Sequence, residues 1–123
     1  MSNLKSEKSN NIRFRSYDFS LEIISLVKNF PVNKVYLIFT DQLLRSATSV
    51  GANLVEAKSS SSKKDFARYY EIALKSANET LYWMCLLRDS RLLEDDKIAN
   101  LIKEIEEISK MIGSSLLTMR GKR

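Results

Sequence analysis

A chain of 123 residues with 44% hydrophobic and 28% charged residues suits one compact domain of ordinary globular composition. It carries no histidine and one cysteine, which excludes a histidine general base, Ser-His and Cys-His nucleophile pairs, a His-containing zinc site and an internal disulfide. Twenty Lys and Arg against 15 Asp and Glu leave a formal charge of +5 and a pI of about 9.4, while three Gly and one Pro supply too little turn punctuation for a β-rich chain.

The first fifteen residues, with Lys5, Lys8, Arg13 and Arg15 and little periodicity, read as a flexible basic N-terminal arm (1–15) ahead of a single domain (16–123). A first helix is predicted from about Tyr17 to Phe30, with Phe19, Ile23, Leu26, Val27 and Phe30 at helical spacing, and Pro31 disfavours the helical conformation in the residue before it. The second is predicted from near Asn33 to about Ser59. Leu43, Ala47, Val50 and Leu54 form its core stripe, while Arg45, Ser49, Asn53 and Glu56 step along another face, and Gly51 is tolerated where packing needs room.

The run Ser59-Ser60-Ser61-Ser62 ends that helix, and Ser62 with Asp65 three residues on resembles a capping box for the next. In the third helix Phe66, Tyr70, Ala73, Ala77, Leu81 and Met84 form one stripe. Tyr69, Ile72, Ser76, Glu79, Trp83 and Leu86 form a second at the same period. Two faces imply two neighbours, either as one wide stripe within a single bundle or as a core face plus an oligomer face made by Tyr69, Ile72, Trp83 and Leu86. Arg88-Asp89-Ser90-Arg91 breaks the pattern. Glu94-Asp95-Asp96 then opens a fourth helix whose seam is Ile98, Leu101, Ile102, Ile105, Ile108, Ile112, Leu116 and Met119.

Four patterned helices with short connections predict an all-α, antiparallel up-down-up-down four-helix bundle. No apolar run reaches the roughly twenty residues needed to span a bilayer, and the stretch from Met1 to Lys8 lacks a signal peptide's apolar segment, so a reducing cytoplasm and no membrane contact are expected. Cys85, among Met84, Leu86 and Leu87, reads as a packed thiol. Gly51, Gly113 and Gly121 stand alone and cannot cradle a phosphate, and Glu104-Ile105-Glu106-Glu107 reads as a solvated helix face. No catalytic set, metal site or cofactor is expected, and the chain reads as non-enzymatic.

The run from Arg45 to Ala57 (RSATSVGANLVEA), then Ser62-Lys63-Lys64-Asp65-Phe66, then Ile72 to Trp83 (IALKSANETLYW), resembles the bacterial four-helix bundle family first noticed as proteins encoded in intervening sequences of 23S ribosomal RNA genes. The resemblance covers about three quarters of the chain with order and spacing kept. It implies an antiparallel four-helix bundle assembled as a ring-like homo-oligomer, in known examples a pentamer. It also implies kinship with the accessory proteins of diversity-generating retroelements, whose basic barrels bind nucleic acid and a reverse transcriptase. Many members carry Glu-Gly where this chain has Glu56-Ala57, so either the turn differs here or the helix runs on.

Two sets of residues are candidates for function. Arg45, Asn53, Glu56 and Glu79 would pair between the second and third helices or between subunits, fixing register; a ligand or catalytic reading requires Glu56 and Glu79 to converge on one pocket. Lys58, Lys63, Lys64 and Arg68 cluster at one helix junction, and Arg120, Lys122 and Arg123 close the chain. An antiparallel bundle places both groups at the same pole, where phosphate contacts would give salt-sensitive binding of RNA or DNA without base reading. A protein-interaction scaffold that recruits an unidentified protein partner is the alternative.

Overall fold

Asn11 opens the first helix: its Oδ1 accepts the Arg13 and Phe14 amides at 2.9 and 3.1 Å, satisfying two of the donors that a helix start leaves unpaired. The structure, a computed structural model, describes residues 11–121. These form four helices: α1 (Ile12–Val27), α2 (Lys34–Ser59), α3 (Lys63–Asp89) and α4 (Asp96–Gly121). Of the arm expected over 1–15, residues 1–10 lie outside the described residues, whereas 11–15 are the cap and first turn of α1. That helix starts five residues before the expected Tyr17 and ends three before Phe30.

The remaining caps follow the sequence closely. Asn33 accepts the Tyr36 amide at the start of α2, and Ser62 accepts the Asp65 amide at the start of α3. The capping box is only half made, because the Asp65 carboxylate faces Arg68 at 3.9 Å. Asp95 receives the Lys97 amide through its side chain and the Ile98 amide through its carbonyl, opening α4 where negative charge suits the helix dipole. With Ala57 in place of glycine, α2 runs on to Ser59, and Ala57 is buried in the core side of its last turn.

Each helix packs on its sequence neighbours, and α1 also packs on α4, while among the described residues the backbones of the diagonal pairs α1/α3 and α2/α4 stay more than 8 Å apart. This is the expected up-down-up-down bundle. Its centre holds Phe19, Ile23, Leu43, Ala47, Val50, Leu54, Ala73, Ala77, Met84, Leu87 and the isoleucines of α4, nearly all fully buried. Each large side chain here contributes roughly 1.5–3 kcal/mol by leaving water. Seven of the eight seam residues expected in α4 are buried, and Met119 is half-buried against the core. Cys85 is a half-buried free thiol packed against the same core.

Arg15 and the acidic face of α4 differ from the sequence reading. Arg15 lies in α1 with its side chain 17% exposed and forks onto Glu104 (Nε 2.8 Å, Nη2 2.6 Å), with Nη2 also 2.7 Å from Glu107. Glu104 and Glu107, expected on a solvated face, therefore tie α4 to α1. The guanidinium's proton is held more tightly than usual by these two carboxylates, and the Glu107 carboxyl titrates below the ordinary carboxylate range because Arg15 donates to it.

Candidate nucleic-acid interface

At one pole α2 ends, α3 begins and α4 ends. Lys58 stands in the last turn of α2, Lys63 and Lys64 open α3, Arg68 follows one turn later, and Arg120 lies in the last turn of α4. All five are exposed. Lys63, Lys64 and Arg120 line one shallow depression of about 310 Å³ floored by Ala67 and Met119, so residues more than fifty positions apart share a cationic surface. Lys122 and Arg123 lie outside the described residues.

The five cations are not equivalent. Arg120 donates to Glu71 at 2.9 Å, and Arg68 stacks its guanidinium 4.9 Å from the centre of the Tyr69 ring beside Asp65. Lys58, Lys63 and Lys64 have no carboxylate within ion-pair distance among the described residues. Arg13 belongs to the same pole and was missed by the sequence reading, which placed it in an arm. Its charge bears on Tyr70, whose hydroxyl is pushed up by burial and partly drawn back by that arginine.

The polar positions of α2 and α3 form a ladder along the seam between them. Arg45 donates to Glu79, and the same Nη2 donates to Gln42 at 2.6 Å, while Trp83 Nε1 donates to Glu79 at 3.4 Å. Below that rung Thr80 donates to Ser46 and Ser76 donates to Ser49, each at 2.9 Å. Their small side chains let α2 and α3 approach closely. Asn53 bonds back to Ser49 in its own helix, and Glu56 is exposed with no hydrogen bond or ion pair among the described residues. Opposed to Arg45, Glu79 sits eleven residues of α2 from the level of Glu56, about 16 Å along the axis. The two carboxylates do not converge.

Of the expected oligomer face, Tyr69, Ile72 and Trp83 are half-buried and Leu86 is exposed. Trp83 packs edge-on against Phe39 of α2, with ring centres 5.9 Å apart. Ser76 and Glu79, counted on that second face, are taken by α2 of the same chain. What stays open beside them is apolar: Val35 and Ile38 at the start of α2 and Tyr82 and Leu86 at the end of α3 are 40–61% exposed. Among the described residues no cluster of His, Cys, Asp and Glu could hold a metal, and no helix is long and apolar enough to cross a membrane.

Comparison with known proteins agrees with this architecture. A crystal structure of a protein of unknown function from the S23 ribosomal protein family of Bacteroides thetaiotaomicron superposes with a TM-score of 0.78 at 36% identity, covering 86% of this chain and 98% of that one. No curated protein matches the chain. The family model described as 23S rRNA-intervening sequence protein matches residues 8–114, which takes in all of α1, α2 and α3 and most of α4. The chain belongs to the 23S rRNA-intervening sequence protein family.

Proposed function

We propose that the chain is a non-enzymatic, homo-oligomeric bundle that binds RNA or DNA through its basic pole without reading base sequence. The observation that carries this reading is the depression shared by Lys63, Lys64 and Arg120, flanked by Lys58 and Arg68. Lysines at the start of α3 oppose the dipole of their own helix, a small cost that a bound phosphate would relieve. A net charge of +5 per chain is multiplied in a symmetric assembly. Self-association is supported by the exposed apolar ends of α2 and α3, where Ile38 and Leu86 flank the half-buried Trp83, and the family resemblance favours a pentamer.

A salt titration of binding to generic RNA and DNA tests the nucleic-acid half. The logarithm of affinity should fall linearly with the logarithm of salt, by roughly 0.7 to 0.9 per phosphate contacted. Lys63→Glu/Lys64→Glu should weaken binding uniformly across sequences and reduce the slope by about two contacts' worth without lowering the melting temperature, because both side chains lie outside the core and glutamate suits the start of a helix. Absence of binding even at low ionic strength leaves the scaffold reading in place. Sedimentation velocity tests the other half: a monomer at micromolar concentration overturns it.

A further inference from the structure

Along the edge where α3 meets α4, away from the α2–α3 seam, a groove of about 720 Å³ opens between the helices. Its floor is aliphatic. Leu74 lies half-buried on the α3 side, Leu117 stands 69% exposed on the α4 side, and Gly113 leaves a gap in which an added Cβ would meet nothing within 4 Å. Its rim is cationic: Lys75 on one wall, Lys110 on the other, Arg120 at the end. Neither lysine has a carboxylate within ion-pair distance among the described residues, and the one acid on the rim, Glu71, is paired with Arg120.

We infer that this groove is a docking site for an acidic amphipathic helix of another protein. An apolar floor between two unpaired lysines is complementary to a segment with leucine-like anchors on one face and carboxylates flanking them. The dimensions agree. From Lys110 to Arg120 is ten residues of α4, about 15 Å, which accommodates three turns of a partner helix and anchors at i, i+3 or i+4, and i+7. The gap at Gly113 is where one anchor would seat.

Nucleic acid fits less well. Phosphates would be drawn to the same lysines, but none of the lining side chains carries a ring on which a base could stack, and a duplex backbone has no use for an aliphatic floor. The site touches the basic pole only through Arg120, and the inference does not rest on nucleic-acid binding there.

The test uses the full chain and a fluorescein-labelled peptide of about 14 residues, with leucine at helical spacing and glutamate between, beside a scrambled peptide of the same composition. Fluorescence anisotropy should show the patterned peptide binding at least about tenfold more tightly than the scrambled one. Lys75→Glu/Lys110→Glu, and separately Gly113→Leu, should each weaken it by about tenfold or more without lowering the melting temperature. Equal affinity for the two peptides, or affinity indifferent to both variants, overturns the inference. Loss of generic RNA binding in Lys75→Glu/Lys110→Glu without pattern-dependent peptide binding assigns the groove to nucleic acid and also overturns it. Peptide binding by a chain that binds no RNA supports the groove and removes the basic-pole reading.

Discussion

Replacing Arg15 with methionine isolates the clamp between α1 and α4. The side chain is largely buried and forks onto Glu104 with two bonds of 2.8 and 2.6 Å, the paired geometry in which guanidinium–carboxylate contacts are strongest. Fully buried, such bonds would contribute about 1.5–3 kcal/mol each. Glu104 is 34% exposed, so solvent screens it and both carboxylates rehydrate when the arginine is removed. Methionine also keeps much of the apolar stem, while the contact of Nη1 with the Met111 sulfur at 3.4 Å is lost. A loss of about 1–2 kcal/mol is therefore expected, on the order of 5 °C in melting temperature for a chain of this size.

Thermal and urea unfolding followed by circular dichroism measure it, with Glu104→Gln completing a double-mutant cycle. The pH dependence has a definite sign. The Glu107 carboxyl lies below its ordinary value near 4.5 in the folded chain, because Arg15 donates to it. Its contribution is thus present above about pH 4.5 and is lost as pH falls through the lowered folded value. The gap between wild type and Arg15→Met should narrow on acidification. A variant within about 0.5 kcal/mol of wild type at neutral pH, or a gap that widens in acid, refutes the clamp.

Other substitutions probe single features. Ser16 is buried and its Oγ lacks a partner among the described residues, so Ser16→Ala should raise stability by about 0.5–1.5 kcal/mol; a loss of that size would mean the hydroxyl is bonded. Arg91 adopts φ 58° just past the end of α3, where glycine bears no Cβ penalty, and Arg91→Gly should gain roughly 0.5–1 kcal/mol in urea titrations. Gly113→Ala should stabilise α4 by about 0.5–1 kcal/mol, since the new methyl meets nothing within 4 Å. A double-mutant cycle on Arg45 and Glu79, 59% and 36% exposed, should give a coupling below about 1 kcal/mol in a dilute monomer. A coupling that grows with protein concentration would show the pair being covered by another subunit.

The architecture was legible where one face is apolar and the other charged. In α4 the isoleucine and leucine seam stands out because the residues between are mostly Lys, Glu, Ser and Asn, and the buried set follows it closely. The second face of α3 was legible only in part. Its Tyr69, Ile72 and Trp83 carry a hydrophobic signal, but Ser76 and Glu79 also belong to it, and a pattern along one helix does not reveal which neighbour covers that face. Here α2 of the same chain takes Ser76, Glu79 and Trp83, the first through a hydroxyl too small and polar to register as a core signal, and leaves Leu86 exposed. Arg13 and Arg15 were illegible for another reason. The cap at Asn11 that starts α1 early is one residue, and the partners of Arg15 lie 89 and 92 positions away, beyond any local periodicity. The basic pole was recoverable because antiparallel topology alone brings the ends of α2 and α4 together.

The unequal distribution of polar contacts around the bundle bears on where a partner could enter. An isoleucine seam such as that of α4 is nearly indifferent to a slip of one helical turn, since apolar residues recur at the same spacing. The α2–α3 edge is not indifferent. Arg45–Glu79, Ser46–Thr80 and Ser49–Ser76 are staggered so that one slip breaks all three, although Ser46 and Thr80 keep bonds to their own helices and soften the penalty. The α1–α4 edge is held by the Arg15 fork. By contrast, the links across the α3–α4 edge among the described residues include the exposed pairs Asn78–Ser109 and Glu71–Arg120. With register set on the other edges by Ser76, Glu79 and Thr80 of α3 and by Glu104 and Glu107 of α4, the groove-side faces of these two helices carry little of the burden of specifying the fold. Its lysines and exposed leucine are then left out of the contacts that set register, which is what the proposed docking of an acidic helix requires.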